Sequence, residues 1–369
     1  MLKNVAAAKR LGHEVALFVP REGMKAADAE RALASALEDF DITESFPVVR
    51  VPRATVAGRG RRGFDFLSAC WARARGFDLV WSREFHAADY ASAFGLPTVF
   101  EHHHPFNERQ WKVARRMLAR EAFACVAAIS DVHRRTLTAE GWPEDKVVTA
   151  HSGVDLSRFE RSRSSVAGLR RALGAAARPL VVYVGSLYAG KGCEQILSAA
   201  REMPEAKFVC VGGRDFEVER LTERAASLGL TNVELTGHVP HAEVPSYLLA
   251  ADVLIAPFTE DGRDIAGKVI MPFASPIKLF EYMAAGRAVV TSNVGAIPEI
   301  LRHEENALLI SPGSVAELVG AIKRLLDDRA LASHLGAAAR RDVQSYSWDE
   351  RVARVIAFAR GEARAVVAV

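Results

Sequence analysis

The chain has 369 residues, 50% of them hydrophobic and 25% charged, and a formal net charge of +3. That length outgrows one ordinary core and suits two domains, and so mild a charge balance excludes a protein built to hold a polyanion such as nucleic acid. Four cysteines, at 70, 125, 193 and 210, form no close pair and no metal-type spacing, and no apolar run approaches the ~20 residues that cross a bilayer, so a cytoplasmic protein with reduced thiols is expected.

Asn4 to Glu14 predicts a helix stopped at Gly12, and Val15 to Pro20 a buried strand stopped by its proline. Lys3, Lys9 and Arg10 flank only a Val-Ala-Ala-Ala patch, too short for a secretory signal. Asp78 to Arg83 and Gly95 to Glu101 continue the alternation that marks a parallel sheet. The second of these strands delivers Glu101-His102-His103-His104-Pro105 to a carboxyl-end loop, where open parallel sheets place their ligands. Three successive histidines invite a metal reading. Adjacent residues of an extended segment point in opposite directions, however, so at most two could share an ion, and no partner cluster appears elsewhere; no metal is expected. Between Arg50 and Arg135 fifteen basic residues face eight acidic ones, including Arg59-Gly60-Arg61-Arg62 and the helix from Trp111 to Leu118. Such a face is either solvated or suited to docking on anionic lipid.

Ala128 to Asp131 ends another strand, and Gly141 to Lys146 turns into Val147-Val148-Thr149-Ala150-His151-Ser152-Gly153-Val154-Asp155. The arginine- and alanine-rich residues 157 to 178 lead to a fresh strand, which sets a domain boundary. Leu180 to Gly185 is a β-branched strand ending in glycine, and Ser186 to Gly192 is a loop opening a helix. Its glycines let backbone approach a phosphate, and Lys191 at the helix start supplies positive charge. The spacing is not that of an ATP-binding P-loop. Strands at 207–213, 232–240 and 251–257 alternate with helices, as in a doubly wound sheet. Ser275-Pro276-Ile277-Lys278-Leu279-Phe280-Glu281-Tyr282-Met283-Ala284-Ala285-Gly286 then reads as a helix with Ser275 as its cap, Pro276 in its first turn and Gly286 as its stop, followed by the buried strand Ala288 to Thr291. Unpaired amides at such a helix start suit an anion. Glu281, the helix's sole acid, can accept hydrogen bonds from two neighbouring ribose hydroxyls. Phosphate plus ribose points to a nucleotide; the plainer reading is an amphipathic helix with solvated charges. Tyr346 to Arg351 caps a last helix, after which the tail from Gly361 is expected to fray.

The segment from Ser275 to Gly286 resembles the donor-binding segment of the retaining GT-B glycosyltransferases of family 4, and the order of short signatures around it follows that family over nearly the whole chain. The resemblance implies an α/β fold of two Rossmann-like doubly wound domains facing across a cleft, the first incomplete at its start because the family's first strand and glycine-rich loop precede the helix at residue 4. Residues 1–160 would form the acceptor-side domain, 161–178 a linker, 179–345 the nucleotide-sugar domain, and 346–369 a helix crossing back to the first domain. It further implies that Glu281 holds the donor ribose and that the helix start at Ser275, Pro276, Lys278 and Leu279 holds the diphosphate with Gly185 and Lys191. The base would lie near the backbone of Val239, and His103 at the reaction centre.

Three departures stand out. Ser186 replaces an arginine, leaving Lys191 as the loop's one cation, Ser152 replaces the asparagine of an N-G-V-D signature, and Phe273 occupies the place of a second, sugar-contacting glutamate, whose role would fall to backbone or to Asp264. The activity implied is transfer of a hexose-like sugar from a nucleoside diphosphate sugar to a sugar, glycan or lipid-linked acceptor, with retention and without metal or other cofactor; the leaving phosphate can take the acceptor proton, so no protein nucleophile is required. The location implied is cytoplasmic, at the inner face of the membrane if the basic face docks there. The alternatives are a non-catalytic remnant that binds nucleotide or glycan, and a sugar-nucleotide epimerase.

Overall fold

The computed structural model describes residues 1–21, 26–53, 62–103, 106–161, 166–188, 190–262 and 271–362. His104, Pro105, Asp264 and the arginines at 59 and 61 lie outside the described residues, as does the tail from 363. The chain divides into two compact units, Met1–His151 with Trp348–Val369, and Ser152–Ser347.

The first unit runs α1 (Leu2–Arg10), β1 (Leu17–Arg21), α2 (Ala26–Asp39), β2 (Val48–Pro52), α3 (Arg62–Ala74), β3 (Val80–Ser82), α4 (Phe85–Ala93), β4 (Thr98–His102), α5 (Glu108–Leu118), β5 (Phe123–Ala128), α6 (Asp131–Ala139) and β6 (Val147–Thr149). Its strands pair in parallel but in two pieces, β1 with β2 and β3-β4-β5-β6. Between the pieces lies a cavity of about 1370 Å³, lined by Val5 and Ala8 of α1, Leu17 and Val19 of β1, Ala72 of α3 and Trp81 of β3. Leu17 donates to the Pro47 carbonyl and Val80 to the Pro97 carbonyl, so the alternating pattern of a parallel ladder turns the amides of Phe18 and Trp81 away from β2 and β4. Two strand edges thus face one cavity. β4 is buried along its whole length, with Phe100 packed on Phe106, Met117 and Trp142 on one face, and Val99 with Cys125 and Val148 on the other.

The second unit runs α7 (Ser157–Arg161), α8 (Val166–Ala172), β7 (Leu180–Val184), α9 (Cys193–Glu202), β8 (Lys207–Val211), α10 (Asp215–Ser227), β9 (Val233–Gly237), α11 (Val244–Ala250), β10 (Val253–Ala256), α12 (Ile277–Ala285), β11 (Ala288–Ser292), β12 (Leu308–Ile310), α13 (Val315–Asp327) and α14 (Arg329–Asp342). One six-stranded parallel sheet, ordered β12-β11-β10-β7-β8-β9, carries a core on each face. Val182 and Val184 point into one core, Val181 and Tyr183 into the other, as period-two alternation requires. Val154, Phe159 and Leu173 are buried in this unit's core, and Arg170 donates twice to Asp252 at 3.1 Å.

The last helix, α15 (Trp348–Ala359), is part of the first unit. Val355 and Phe358 pack on Val99, Cys125 and Val148, and Val352 packs with Ala7 of α1. Each such apolar side chain taken out of water contributes about 1.5–3 kcal/mol.

Candidate functional site

In the second unit β7 is followed by Gly185, whose φ of +139° suits glycine and whose amide donates to the Val211 carbonyl at 2.8 Å. A Cβ at this position would strike Lys278 Nζ. Lys278 springs from the first turn of α12 and reaches back to β7, donating to Tyr183 Oη at 2.7 Å while its ammonium lies 3.9 Å from the Tyr183 ring centroid. Tyr183 is fully buried and passes the chain of hydrogen bonds to the Ser186 carbonyl at 2.6 Å. Lys191, from the loop that opens α9, lies over the rings of Tyr188 and Phe258 at 4.9 and 5.4 Å, and Lys278 shares the Phe258 ring at 5.4 Å. Desolvation, and then repulsion by Lys191, holds the Lys278 ammonium well below the usual lysine range; desolvation also lowers Lys191. Two cations are therefore gathered on aromatic faces beside a bare glycine, an arrangement suited to an anion.

The start of α12 corrects the sequence expectation in detail. Pro276 is the residue before the helix, which begins at Ile277, and Ser275 does not cap it. Ser275 instead accepts from the Ser152 amide at 2.9 Å, and Ser152 Oγ donates to the Ser275 carbonyl at 2.7 Å. Leu279 has its amide bonded to the Pro276 carbonyl at 3.0 Å and its side chain in the core, so neither is available to a ligand. The amides of Ile277 and Lys278 are the first-turn donors for which the helix supplies no carbonyl. Tyr282 anchors the helix to the sheet, accepting from the Val184 amide at 2.7 Å and lying 3.3 Å from the Ile255 carbonyl.

Glu281 is 6% exposed. Its Oε1 is 2.9 Å from His241 Nε2 and 3.8 Å from Arg158 Nη1, and Arg158 Nη2 donates to the His241 carbonyl. The sequence reading missed both partners. Arg158 lay in the supposed first domain, and His241 had no spacing signal linking it to Glu281. Val239 is half-buried against the same core, and Phe273 is half-buried in the turn before Ser275.

In the first unit, β4 presents Glu101 and His102 in alternation. His102 stacks on Phe106 at 4.0 Å and its Nδ1 lies 3.2 Å from His133 Nε2, in the interior. His103 returns to Glu101, its Nε2 donating to Oε1 at 2.9 Å, with Arg83 Nη2 3.4 Å from its Nδ1. The other carboxylate oxygen of Glu101 accepts from Asn4 at 2.9 Å and Trp81 at 3.1 Å and pairs with Arg351 at 3.0 Å. Burial pushes the Glu101 carboxyl up, but Arg351, His103 and Arg83 outweigh it and hold it well below the usual carboxylate range. Burial lowers His103 more than its bond to Glu101 raises it, so the ring is neutral at pH 7.

Residues 4–158 match the family model for Glycosyltransferase Family 4, and residues 178–328 the model for Glycosyl transferases group 1. A GDP-mannose-dependent alpha-(1-6)-phosphatidylinositol monomannoside mannosyltransferase of Mycobacterium tuberculosis is 30% identical over 271 residues, covering 71% of this chain and 68% of that protein. A sulfoquinovosyl transferase of Arabidopsis thaliana is 26% identical, over 64% of this chain and 44% of that protein. Among solved structures, that of HepE from Anabaena in complex with UDP and glucose superposes with a TM-score of 0.74 at 20% identity, covering 96% of this chain and 95% of that one.

Proposed function

The chain belongs to the GT-B glycosyltransferases of family 4, and we propose that it moves a hexose-like sugar from a nucleoside diphosphate to a sugar, glycan or lipid-linked acceptor, with retention of configuration and without a metal. The observation that carries this reading is the pairing of Lys191 with Lys278 beside Gly185, on the same helix as Glu281. The two ammonium groups and the amides of Ile277 and Lys278 meet the diphosphate, and fixed positive charge of this kind stabilises the leaving group as the glycosidic bond breaks, the task a metal performs in other sites. Glu281 accepts the ribose hydroxyls in exchange for its bond to His241. The second cation expected at Ser186 is thus supplied by Lys278 from another element.

Retention follows if the acceptor attacks on the face the diphosphate leaves, with a phosphate oxygen taking the acceptor proton. The neutral imidazole of His103, fixed by Glu101, then serves as a hydrogen-bonding group toward the acceptor or sugar. The mannosyltransferase named above, whose name gives a phosphatidylinositol monomannoside, supplies the lipid-linked acceptor class by analogy. The exposed Arg109, Lys112, Arg115 and Arg116 of α5 give the first unit a basic face for anionic lipid at the cytoplasmic surface. No helix of the described residues is long and apolar enough to cross a membrane.

The test is calorimetric titration with UDP, GDP and ADP, followed by incubation of UDP-glucose and GDP-mannose with candidate glycan and lipid acceptors in EDTA, the anomeric configuration being read by NMR. One nucleotide binding at micromolar level, with Glu281→Ala at least tenfold weaker, supports the reading. Nucleotide affinity that is absent, or equal in the variant, refutes it.

A further inference from the structure

Arg351 enters the first unit from α15 with every arm engaged. Its Nε donates to the His151 carbonyl and its Nη1 to Asn4 Oδ1, both at 2.8 Å, and its Nη2 meets Glu101 Oε2 at 3.0 Å. Its guanidinium also lies over the rings of Trp81 and Trp348 at 5.4 and 5.8 Å. Arg351 and Glu101 are each 6% exposed. A pair buried so deeply is weak evidence for stability, because desolvation consumes most of the attraction. Nor is it required to dock α15, which already buries Val352, Val355 and Phe358. Its geometric consequence is specific. Arg351, Asn4 and Trp81 all converge on Oε2 of Glu101, which leaves Oε1 directed at His103.

We infer that Arg351 is a positioning residue, holding Glu101 so that its second oxygen pins His103 as the neutral tautomer with the proton on Nε2 and the Nδ1 lone pair toward Arg83. The inference rests on the role proposed above for His103. It gives the last helix, 347 residues from its partner Asn4, a part in the chemistry of the first unit.

The charges acting on His103 and Glu101 are Arg83 from the turn after β3, Arg351 from α15 and, on Glu101, the Met1 amino group ahead of α1. Removing Arg351 takes a repelling cation away from His103 and leaves the buried carboxylate to be balanced from elsewhere. The nearest group able to do so is the imidazole, by taking a proton. An opposite charge within about 4–6 Å moves a pKa by about one to three units, and the Glu101 carboxylate, then without Arg351, lies 2.9 Å from Nε2. The imidazolium has a proton on both nitrogens and no lone pair, so the fixed tautomer is lost at neutral pH and regained as the pH rises.

The experiment is a pH titration of the histidine ring nitrogens by ¹H–¹⁵N NMR on the full chain, for the wild type, Arg351→Met and Arg351→Lys, beside turnover of UDP-glucose and GDP-mannose. The wild type is expected to show a neutral His103 protonated on Nε2 at pH 7. Arg351→Met is expected to raise the His103 midpoint by about one unit or more, and to lower turnover at pH 7 at least tenfold with partial recovery toward pH 8.5. Arg351→Lys, which keeps the charge, is expected to leave the midpoint in place. A folded Arg351→Met with the wild-type midpoint and tautomer overturns the inference whatever happens to turnover. Should that variant not fold, a midpoint raised in Arg351→Lys overturns it equally. Wild-type turnover in His103→Ala defeats the functional role of His103 instead, and leaves the NMR result to judge the positioning by itself.

Discussion

Lys278→Met separates the stability of the second unit from its ability to hold a diphosphate. In the free protein the Lys278 ammonium is partly removed from water, repelled by Lys191 and satisfied by one hydroxyl and two aromatic rings. Its pKa is depressed relative to the unfolded chain, so the unfolded state binds more protons and stability rises with pH between the depressed value and the ordinary lysine value near 10.5. At neutral pH the charge is therefore a cost to folding, and methionine, of similar length and apolar, removes it. The melting temperature is expected to hold or rise.

Binding runs the other way. A charge-assisted hydrogen bond to phosphate is worth about 1.5–3 kcal/mol, and each 1.4 kcal/mol is about tenfold, so nucleoside diphosphate affinity is expected to fall roughly 10- to 150-fold. Because the anion favours the charged lysine, wild-type binding takes up a proton at pH values above the depressed Lys278 value, and affinity declines as the pH rises through that value. Titration calorimetry in two buffers of different ionisation enthalpy reads both quantities, and thermal unfolding reads the stability. Unchanged affinity in Lys278→Met, or a melting temperature several degrees lower, would refute the reasoning.

Three further outcomes follow from packing and charge. Tyr282→Phe deletes the hydroxyl that accepts from the buried Val184 amide, so urea unfolding should show a loss of about 1–3 kcal/mol. Burial lowers His151 to about 4; the unfolded chain, with an ordinary histidine near 6.5, binds the extra proton first, so stability should fall by up to about 3 kcal/mol as the pH drops from 6.5 to 4. A His151→Gln variant should flatten that slope in denaturation curves recorded across the range. Hydrogen exchange should be fast at the amides of Phe18 and Trp81, which face the cavity between the two sheet pieces, and slow at Val126 and Val182 in fully paired inner strands; equal protection at all four would contradict the divided sheet.

The alternation of helix and strand, the parallel class of the sheets and the outline of the nucleotide-sugar unit were legible in the sequence, because each depends on local periodicity and on terminators such as Gly12 and Gly286, whose positive φ values end their helices. Glu281, Lys191 and His103 became candidates through the resemblance of their segments to the family 4 glycosyltransferases, since periodicity alone left a solvated helix and a surface histidine as the plainer readings. What the tertiary structure alone decided are the meetings between distant residues. Lys278 meets Tyr183 because the sheet order sets β7 within reach of α12, and Ser275 is held by Ser152 and does not cap the helix. Arg158 and His241 converge on Glu281, and Asn4 and Arg351 on Glu101, across stretches of chain that carry no shared period. Local sequence fixes the φ and ψ preferences and the apolar face of an element, whereas the partner of a buried charge depends on which elements the core brings side by side, and that is settled only when the sheets assemble.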